Sequence, residues 1–301
     1  VKILLLGKNG QVGWELQRSL APLGHVIALD RRGCLDLSGN IADLDAIAAT
    51  VRALKPDIIV NAAAYTAVDK AESEAVLAAR INAEAPAVLA RQAAAIGAWL
   101  IHYSTDYVFD GSGLTPWMEE APTHPLSVYG RTKRDGEVAI AASGAHAVVL
   151  RTSWIYAARG QNFAKTILCL AQERDALNVV ADQFGAPTGA ELIADVTAHI
   201  IRQIFSCKDA SQLAGIYHLA AAGETSWHGY AQFVLQHATR QGHALRVNPE
   251  KVGAIATGEY PVLATRPQNS RLNLAKLEKV FNLQMPPWQQ GVQRMLDKIQ
   301  L

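Results

Sequence analysis

The sequence predicts an α/β fold: a doubly wound parallel sheet with a smaller, interleaved α/β domain in the C-terminal part. Three observations carry it. Short apolar runs alternate with helical patterns through the first half of the chain. Those runs are continuous rather than alternating, as strands buried on both faces of a parallel sheet are. The first run, Lys2 to Leu6, leads straight into Gly7, Gly10 and Gly13 and then into a helical pattern. That order is the one a Rossmann-type dinucleotide turn needs. On this reading residues 1–155 form the dinucleotide-binding domain and segments around 177–220 return to it. Residues 156–301 are mainly a substrate-binding domain.

The first turn, Gly7-Lys8-Asn9-Gly10-Gln11-Val12-Gly13, precedes a helix from Trp14 to Leu20. Its glycines permit a tight bend and let backbone N–H groups approach a pyrophosphate, while the helix N-terminus adds favourable dipole charge. The spacing is G-x-x-G-x-x-G, and the strand before it and helix after it give it weight. Val26 to Leu29 reads as the second strand and Asp30 ends it, 20 residues past Gly10. An acid there suits the hydroxyls of an adenosine ribose. Arg31 and Arg32 follow, and they suit the extra phosphate of NADP; solvated loop charges are an equal alternative for them. The acid argues for NADH and the arginines for NADPH, so both cofactors stay open. Asp36-Leu37, placed after a third-strand position, would border the adenine.

Asp57 to Val60 is a strand that runs into the small residues Asn61-Ala62-Ala63-Ala64, against which a cofactor can lie. Residues 69–97 are alanine-rich and helical. Trp99 to Tyr103 is a strand that delivers Ser104-Thr105-Asp106 to its carboxyl end, where open α/β sheets bind ligands. The long loop 110–128 holds Gly111, Gly113, Pro116, Pro122 and Pro125. It leads to Tyr129 and Lys133, four apart on one helix face. Next to a nicotinamide that pair can deliver a proton: a lysine ammonium favours the ionised phenol and lowers a pKa of about 10. Thr105 or Ser104 can hydrogen-bond the reacting carbonyl. An ordinary helix face has the same spacing, so it is the glycine turn that gives the pair its meaning.

Ala147 to Leu150 is a further strand and ends in Arg151-Thr152-Ser153-Trp154. Beyond it the alternation loosens. Residues 162–174, 189–205 and Ser226 to Gln241 read as helices, the last capped near Thr225. Leu177 to Val180 and Gly215 to Ala220 read as strands, and 245–269 as irregular. Trp154 follows a strand end beside the crevice, where an aromatic ring can close over a sugar. Trp227 and His228 start a helix and suit packing, and His102 suits an apolar core.

Half of the 301 residues are hydrophobic, and 28 basic residues face 27 acidic ones. That balance leaves no net field for nucleic acid or membrane. No stretch of about 18 uncharged apolar residues and no signal-like N-terminus is evident. Cys34, Cys169 and Cys207 are odd in number and far apart, which suits free thiols in the cytoplasm.

Taken together, the glycine triplet, Asp30, the Ser104-Thr105-Asp106 strand end and Tyr129-x-x-x-Lys133 resemble the extended short-chain dehydrogenase/reductase family. Further stretches are similar, more narrowly, to its dTDP-4-dehydrorhamnose reductase branch: 61–69, 102–109, Arg151-Thr152-Ser153-Trp154, 182–188 and Arg266-Pro267-Gln268-Asn269-Ser270. The resemblance implies reduction of the 4-keto group of dTDP-4-dehydro-L-rhamnose, the last step of dTDP-rhamnose synthesis, by NADPH or NADH. It implies Tyr129 as proton donor, Lys133 on the nicotinamide ribose, Thr105 on the carbonyl or phenol, and Asp106 and Trp154 on the sugar. Gly10, Gln11, Val12, Asp30, Asp36, Leu37, Ala63, Ala64, Tyr65, Thr66 and Tyr103 would line the cofactor. It also implies a homodimer bridged by Mg2+ at Glu15, Glu191 and Asp195, although Glu191 and Asp195, four apart, equally suit a solvated acidic face. Tyr65 stands where relatives carry a histidine, and Arg31-Arg32-Gly33-Cys34 looks shortened. Two other readings compete. A dehydratase or epimerase would share the Tyr–Lys pair, but Tyr107 follows Asp106 where related dehydratases carry a second acid. A non-catalytic regulatory subunit would keep the nucleotide site, but here Thr105, Tyr129 and Lys133 are all present.

Overall fold

The computed structural model of the protein describes residues 1–299. Its centre is a six-stranded sheet. Five strands come from the first half: β1 (Lys2–Leu6), β2 (His25–Leu29), β3 (Ile58–Asn61), β4 (Trp99–Thr105) and β5 (Ala147–Thr152). The sixth, Gly215–His218, returns from the C-terminal part and pairs with β5. From that edge the order runs through β5, β4, β3 and β1 to β2, and all pairings are parallel. Chain order reverses between β1 and β3, the switch point at which open α/β sheets bind nucleotides.

The continuous apolar runs follow from double-sided burial. Ile3 and Leu5 point to one face, with Leu16 and Leu20 of α1 (Gln11–Leu20) and Ile193 and Ile200 of the helix Ala190–Ser206. Leu4 and Leu6 point to the other, with Ile47 and Val51 of α2 (Leu44–Leu54) and Leu89 of the helix Ala85–Ile96. Both faces of β1 need hydrocarbon, so no polar residue interrupts its run from Ile3 to Leu6. A second core joins the helices Phe163–Glu173, Trp227–Arg240 and Trp288–Leu296 through Leu168, Tyr230, Val234 and Val292. Asn178–Val180 pairs there with Gly253–Ile255, inside the stretch that reads as irregular. Ser226, not Thr225, caps the Trp227 helix through Gly229 N–H.

One expectation changes and another gains detail. No strand lies between β2 and α2, so Asp36-Leu37 do not follow a third strand; Cys34 and Leu37 instead bridge a tight turn. Residues 69–97 are largely helical, as expected, but in successive pieces. Val68–Ala71, Ala75–Ala79, a π-helical turn Arg80–Glu84 and Ala85–Ile96 succeed one another. Tertiary partners override helix propensity here: Glu72 accepts from Val128 N–H and Glu74 from the Tyr65 hydroxyl. The π turn sets Asn82 between the Tyr65 backbone and Thr132.

The long loop 110–128 is pinned rather than free. Asn269 donates to the Ser112 and Thr115 carbonyls, and Trp117 Nε1 donates to the Asn269 carbonyl. Below it, buried Arg151 forks onto buried Glu137 at 2.7–3.2 Å and donates to the Glu119 carbonyl.

The glycine turn tolerates no added carbon at Gly13, where a Cβ would stand 2.1 Å from the Gly7 carbonyl oxygen. Gly13→Ala should therefore cost about 1–3 kcal/mol of stability by overpacking. Urea unfolding measures it; an unchanged midpoint would contradict the tight turn.

Candidate active site

A cleft of about 950 Å3 opens at the carboxyl ends of β1, β3, β4 and β5. Its floor is the glycine turn. Gly7 has φ +85°, and a Cβ there would meet Ala63 N at 2.7 Å, so Gly7 lets the segment after β3 close onto the turn. Gly10 N–H donates to the Gly7 carbonyl at 3.0 Å and Gly10 stands at the start of α1 with no side-chain cap. The uncapped first-turn N–H groups and the bare backbone fit a pyrophosphate. Gln11 Nε2 donates to the Arg159 and Gln161 carbonyls, tying a C-terminal segment to the turn.

The adenosine end is built on Asp30. Its carboxylate accepts from Arg32 N–H and Asn9 Nδ2, and the Arg32 bond is the main cause that holds it below the usual carboxylate range. Asp30, Arg31 and Arg32 all line the cleft, and among the described residues neither arginine enters an ion pair. Gly10, Gln11, Val12, Ala63, Ala64, Thr66 and Tyr103 line it too. Four residues expected on the cofactor do not, the first being Gly13, which packs beneath the turn against the Gly7 carbonyl. Asp36 and Leu37 lie off the cleft. Tyr65 turns its hydroxyl to Glu74, and the Asn82 side chain takes both its backbone groups. Gly39 to Ala42, Leu77 and Ile81 line the cleft without any motif to announce them.

The reacting end is built where the helix Val128–Ala141 meets the turn after β4. Ser127 caps that helix through Gly130 N–H. A Cβ on Gly130 would stand 2.2 Å from the Tyr107 carbonyl, so glycine lets the helix press against the strand end. Tyr129 and Lys133 thereby enter the cleft beside Thr105 and Asp106. Burial pushes the Tyr129 phenol up to about 12, the Thr105 hydrogen bond opposing it. Burial, not Lys133, dominates that phenol, contrary to the depression expected from the pair. Lys133 Nζ donates to the Tyr103 carbonyl at 2.5 Å, and burial pushes it down to about 8.

The sugar end holds four buried polar atoms with no protein partner: Ser104 Oγ, Asp106 Oδ2, Thr152 Oγ1 and Ser153 Oγ. All four residues line the cleft. Buried polar groups without partners call for a ligand that hydrogen-bonds in several directions, and a sugar does so. Thr105 Oγ1 donates to Asp106 Oδ1 at 3.1 Å, and burial pushes Asp106 up to about 7. Trp154 sits at φ +47°, a strained conformation for its type, and stacks on Trp227 with centroids 3.6 Å apart. Trp227 packs on Phe163 as expected of it and also lines the cleft.

Within one chain Glu15, Glu191 and Asp195 are paired with cations and are not gathered around one point. Arg18 pairs with Glu15 and Asp195, while Arg294 and Lys298 both pair with Glu191. Among the described residues no group of three metal-ligating side chains gathers.

The sheet, the glycine turn at its switch point and the Tyr–Lys helix facing it define a nicotinamide-dependent oxidoreductase of the extended short-chain type. The chain belongs to the family described as RmlD substrate binding domain, whose profile matches residues 1–301. A dTDP-4-dehydrorhamnose reductase of Shigella flexneri is 53% identical over 299 residues, covering 99% of this chain and 98% of the relative. Among solved structures, a dTDP-4-dehydrorhamnose reductase of Clostridium acetobutylicum superposes with TM-score 0.86 at 33% identity, covering 99% of each chain. One from Bacillus anthracis, in complex with NADP, gives 0.85 at 32% identity with 99% of each chain covered.

Replacing Arg31 and Arg32 together with alanine should weaken NADPH about tenfold or more, since bonds to a charged phosphate are lost, and weaken NADH less. Equal losses in a binding titration would show that neither arginine reads the phosphate. A chelator should leave the molar mass in solution unchanged, because cations of the same chain already pair with Glu15, Asp195 and Glu191; a fall in mass on light scattering would establish the magnesium bridge.

Proposed function

We infer that this chain reduces the 4-keto group of dTDP-4-dehydro-L-rhamnose to give dTDP-L-rhamnose, using NADPH or NADH, as the last step of dTDP-rhamnose synthesis. One observation carries the reading from family to chemistry: the unpartnered polar atoms of Ser104, Asp106, Thr152 and Ser153 line the same cleft as Tyr129, Lys133 and Thr105. The reduced nicotinamide, when bound, supplies the hydride. Tyr129 keeps its proton through the neutral range, because burial favours the phenol over the phenolate. It gives that proton to the substrate oxygen as charge builds there, so its contribution falls mainly in the transition state. Thr105 orients the phenol, and its hydroxyl reaches the carbonyl by turning away from Asp106. Lys133 holds the nicotinamide ribose. Asp106 and Ser153 meet sugar hydroxyls, and Trp154, braced by Trp227, closes over the ring. The ring of Tyr107 packs edge-on to Tyr129, occupying the position where a dehydratase would need its second acid.

The same reading places the protein in the cytoplasm as a homodimer that binds a nucleotide sugar and neither nucleic acid nor membrane. Three exposed free cysteines and the near balance of charge support the location and the partner class. The homodimer rests on resemblance, and sedimentation decides it.

The purified chain should oxidise NADPH or NADH only when dTDP-4-dehydro-L-rhamnose is added, with dTDP-L-rhamnose formed in equal amount. Cofactor binding without oxidation would contradict the reading. Tyr129→Phe should lose about 10²–10⁴ in kcat while binding cofactor as before; near-parental kcat would remove Tyr129 as the acid.

A further inference from the structure

Lys133 ends a line of three buried groups. Ala63 N–H donates to Asn61 Oδ1 at 3.2 Å, which turns Asn61 Nδ2 toward His102 Nδ1, also at 3.2 Å. On the far side of the ring, His102 Nε2 stands 3.2 Å from Lys133 Nζ. Asn61 and His102 are 1% exposed and Lys133 2%, so water does not mediate. An amide nitrogen only donates. His102 Nδ1 must therefore accept, and the hydrogen of the neutral imidazole lies on Nε2. That N–H points at Lys133. An ammonium has hydrogens in every direction and no lone pair, whereas an amine has one lone pair to receive the bond.

The surrounding groups do not reverse this. Tyr129 lies one turn earlier on the lysine's own helix and is held as the phenol. Glu137, one turn later, is the nearest carboxylate in play, but Arg151 of β5 forks onto it. From β4 come His102, kept neutral chiefly by burial, and the Tyr103 carbonyl, which accepts from an amine as from an ammonium. Asp106, in the turn after β4, is bonded by Thr105. Asn82 of the π turn is occupied by Tyr65 and Thr132, and Asp69 of the helix Val68–Ala71 by Arg266.

We propose that the Asn61–His102 pair weakens the hold of Lys133 on its proton, stabilising the amine form by donating an N–H to its nitrogen, so that this lysine deprotonates well before a surface lysine does. His102 is then a positioning residue that acts through Lys133. It tunes the group beneath the ribose and next to the proton donor, a role distinct from the core packing its apolar strand suggests. The proposal concerns the chain's own proton and does not depend on which keto sugar is reduced.

His102→Gln tests it. Glutamine is close in size and can turn a carbonyl oxygen toward Lys133, an acceptor that an ammonium prefers. The direct readout is an NMR titration of the lysine 13Cε resonances in the protein without nucleotide, with Lys133 assigned by its loss in Lys133→Met. In the parent, Lys133 should titrate well below the other lysines; in His102→Gln its midpoint should rise by about one pH unit or more, the worth of a hydrogen bond to a charged group. The alkaline limb of kcat/KM should move up by a similar amount. A His102→Leu control, which removes the donor and supplies no acceptor, should move the midpoint less than glutamine does. If Lys133 titrates with the surface lysines, or if glutamine leaves its midpoint in place in a folded protein, the proposal is overturned. Loss of reductase activity with the expected titration would instead count against the substrate reading alone.

Discussion

The site depends on two backbone contacts that a side chain would forbid. Gly130 brings the Tyr129 helix against the Tyr107 carbonyl, and Gly136 brings the same helix against the Asn82 carbonyl, where a Cβ would stand 2.2 Å from either oxygen. Those approaches fix the helix to the end of β4 on one side and to the π turn on the other. Tyr129 and Lys133 become buried as a result, and burial then sets their chemistry. At the other end of the cleft the same device recurs, with Gly7 against Ala63 and Gly13 against Gly7. The glycine turn and the Tyr129 helix are therefore held by elements packed backbone to backbone, with little freedom to drift.

Burial works in opposite directions on the two central groups. It raises the phenol and lowers the lysine, because in each case the charged form is the one disfavoured. A simple ammonium–phenolate pair is thus not the resting arrangement. The phenol keeps its proton and the lysine leans on the Tyr103 carbonyl and His102. Lys133 at about 8 carries its proton at neutral pH, so its ammonium already stands near the oxygen on which charge builds, and a transition state is favoured over the ground state on those terms. Asp106, pushed up to about 7, belongs to the same buried polar patch and keeps one oxygen without a protein partner.

Much of this was legible in the residues. β1, β3 and β5 read clearly because strands buried on both faces need long stretches of hydrocarbon, and β4 does so despite His102. The meeting of Gly7, Gly10, Asp30, Thr105, Tyr129 and Lys133 in one cleft reads clearly because it follows from local spacing and strand ends. The rest depends on partners far along the chain. Tyr65 faces Glu74 and Glu191 faces Arg294 and Lys298, choices that no local pattern encodes. The π turn at Arg80–Glu84 is hidden in an alanine-rich stretch whose propensity favours a plain helix. Trp227 reads as packing because a helix start gives no hint of the tryptophan stacked on it from another segment. His102 looks like core for the same reason: its strand is apolar, and only the sheet register puts Asn61 beside it.

The most direct test of the account follows the hydride. With NADPH carrying deuterium on the transferring face and dTDP-4-dehydro-L-rhamnose as acceptor, the account predicts deuterium at C4 of the product rhamnose and at no other carbon, read by NMR. Deuterium at another position, or a product that carries none, would contradict it.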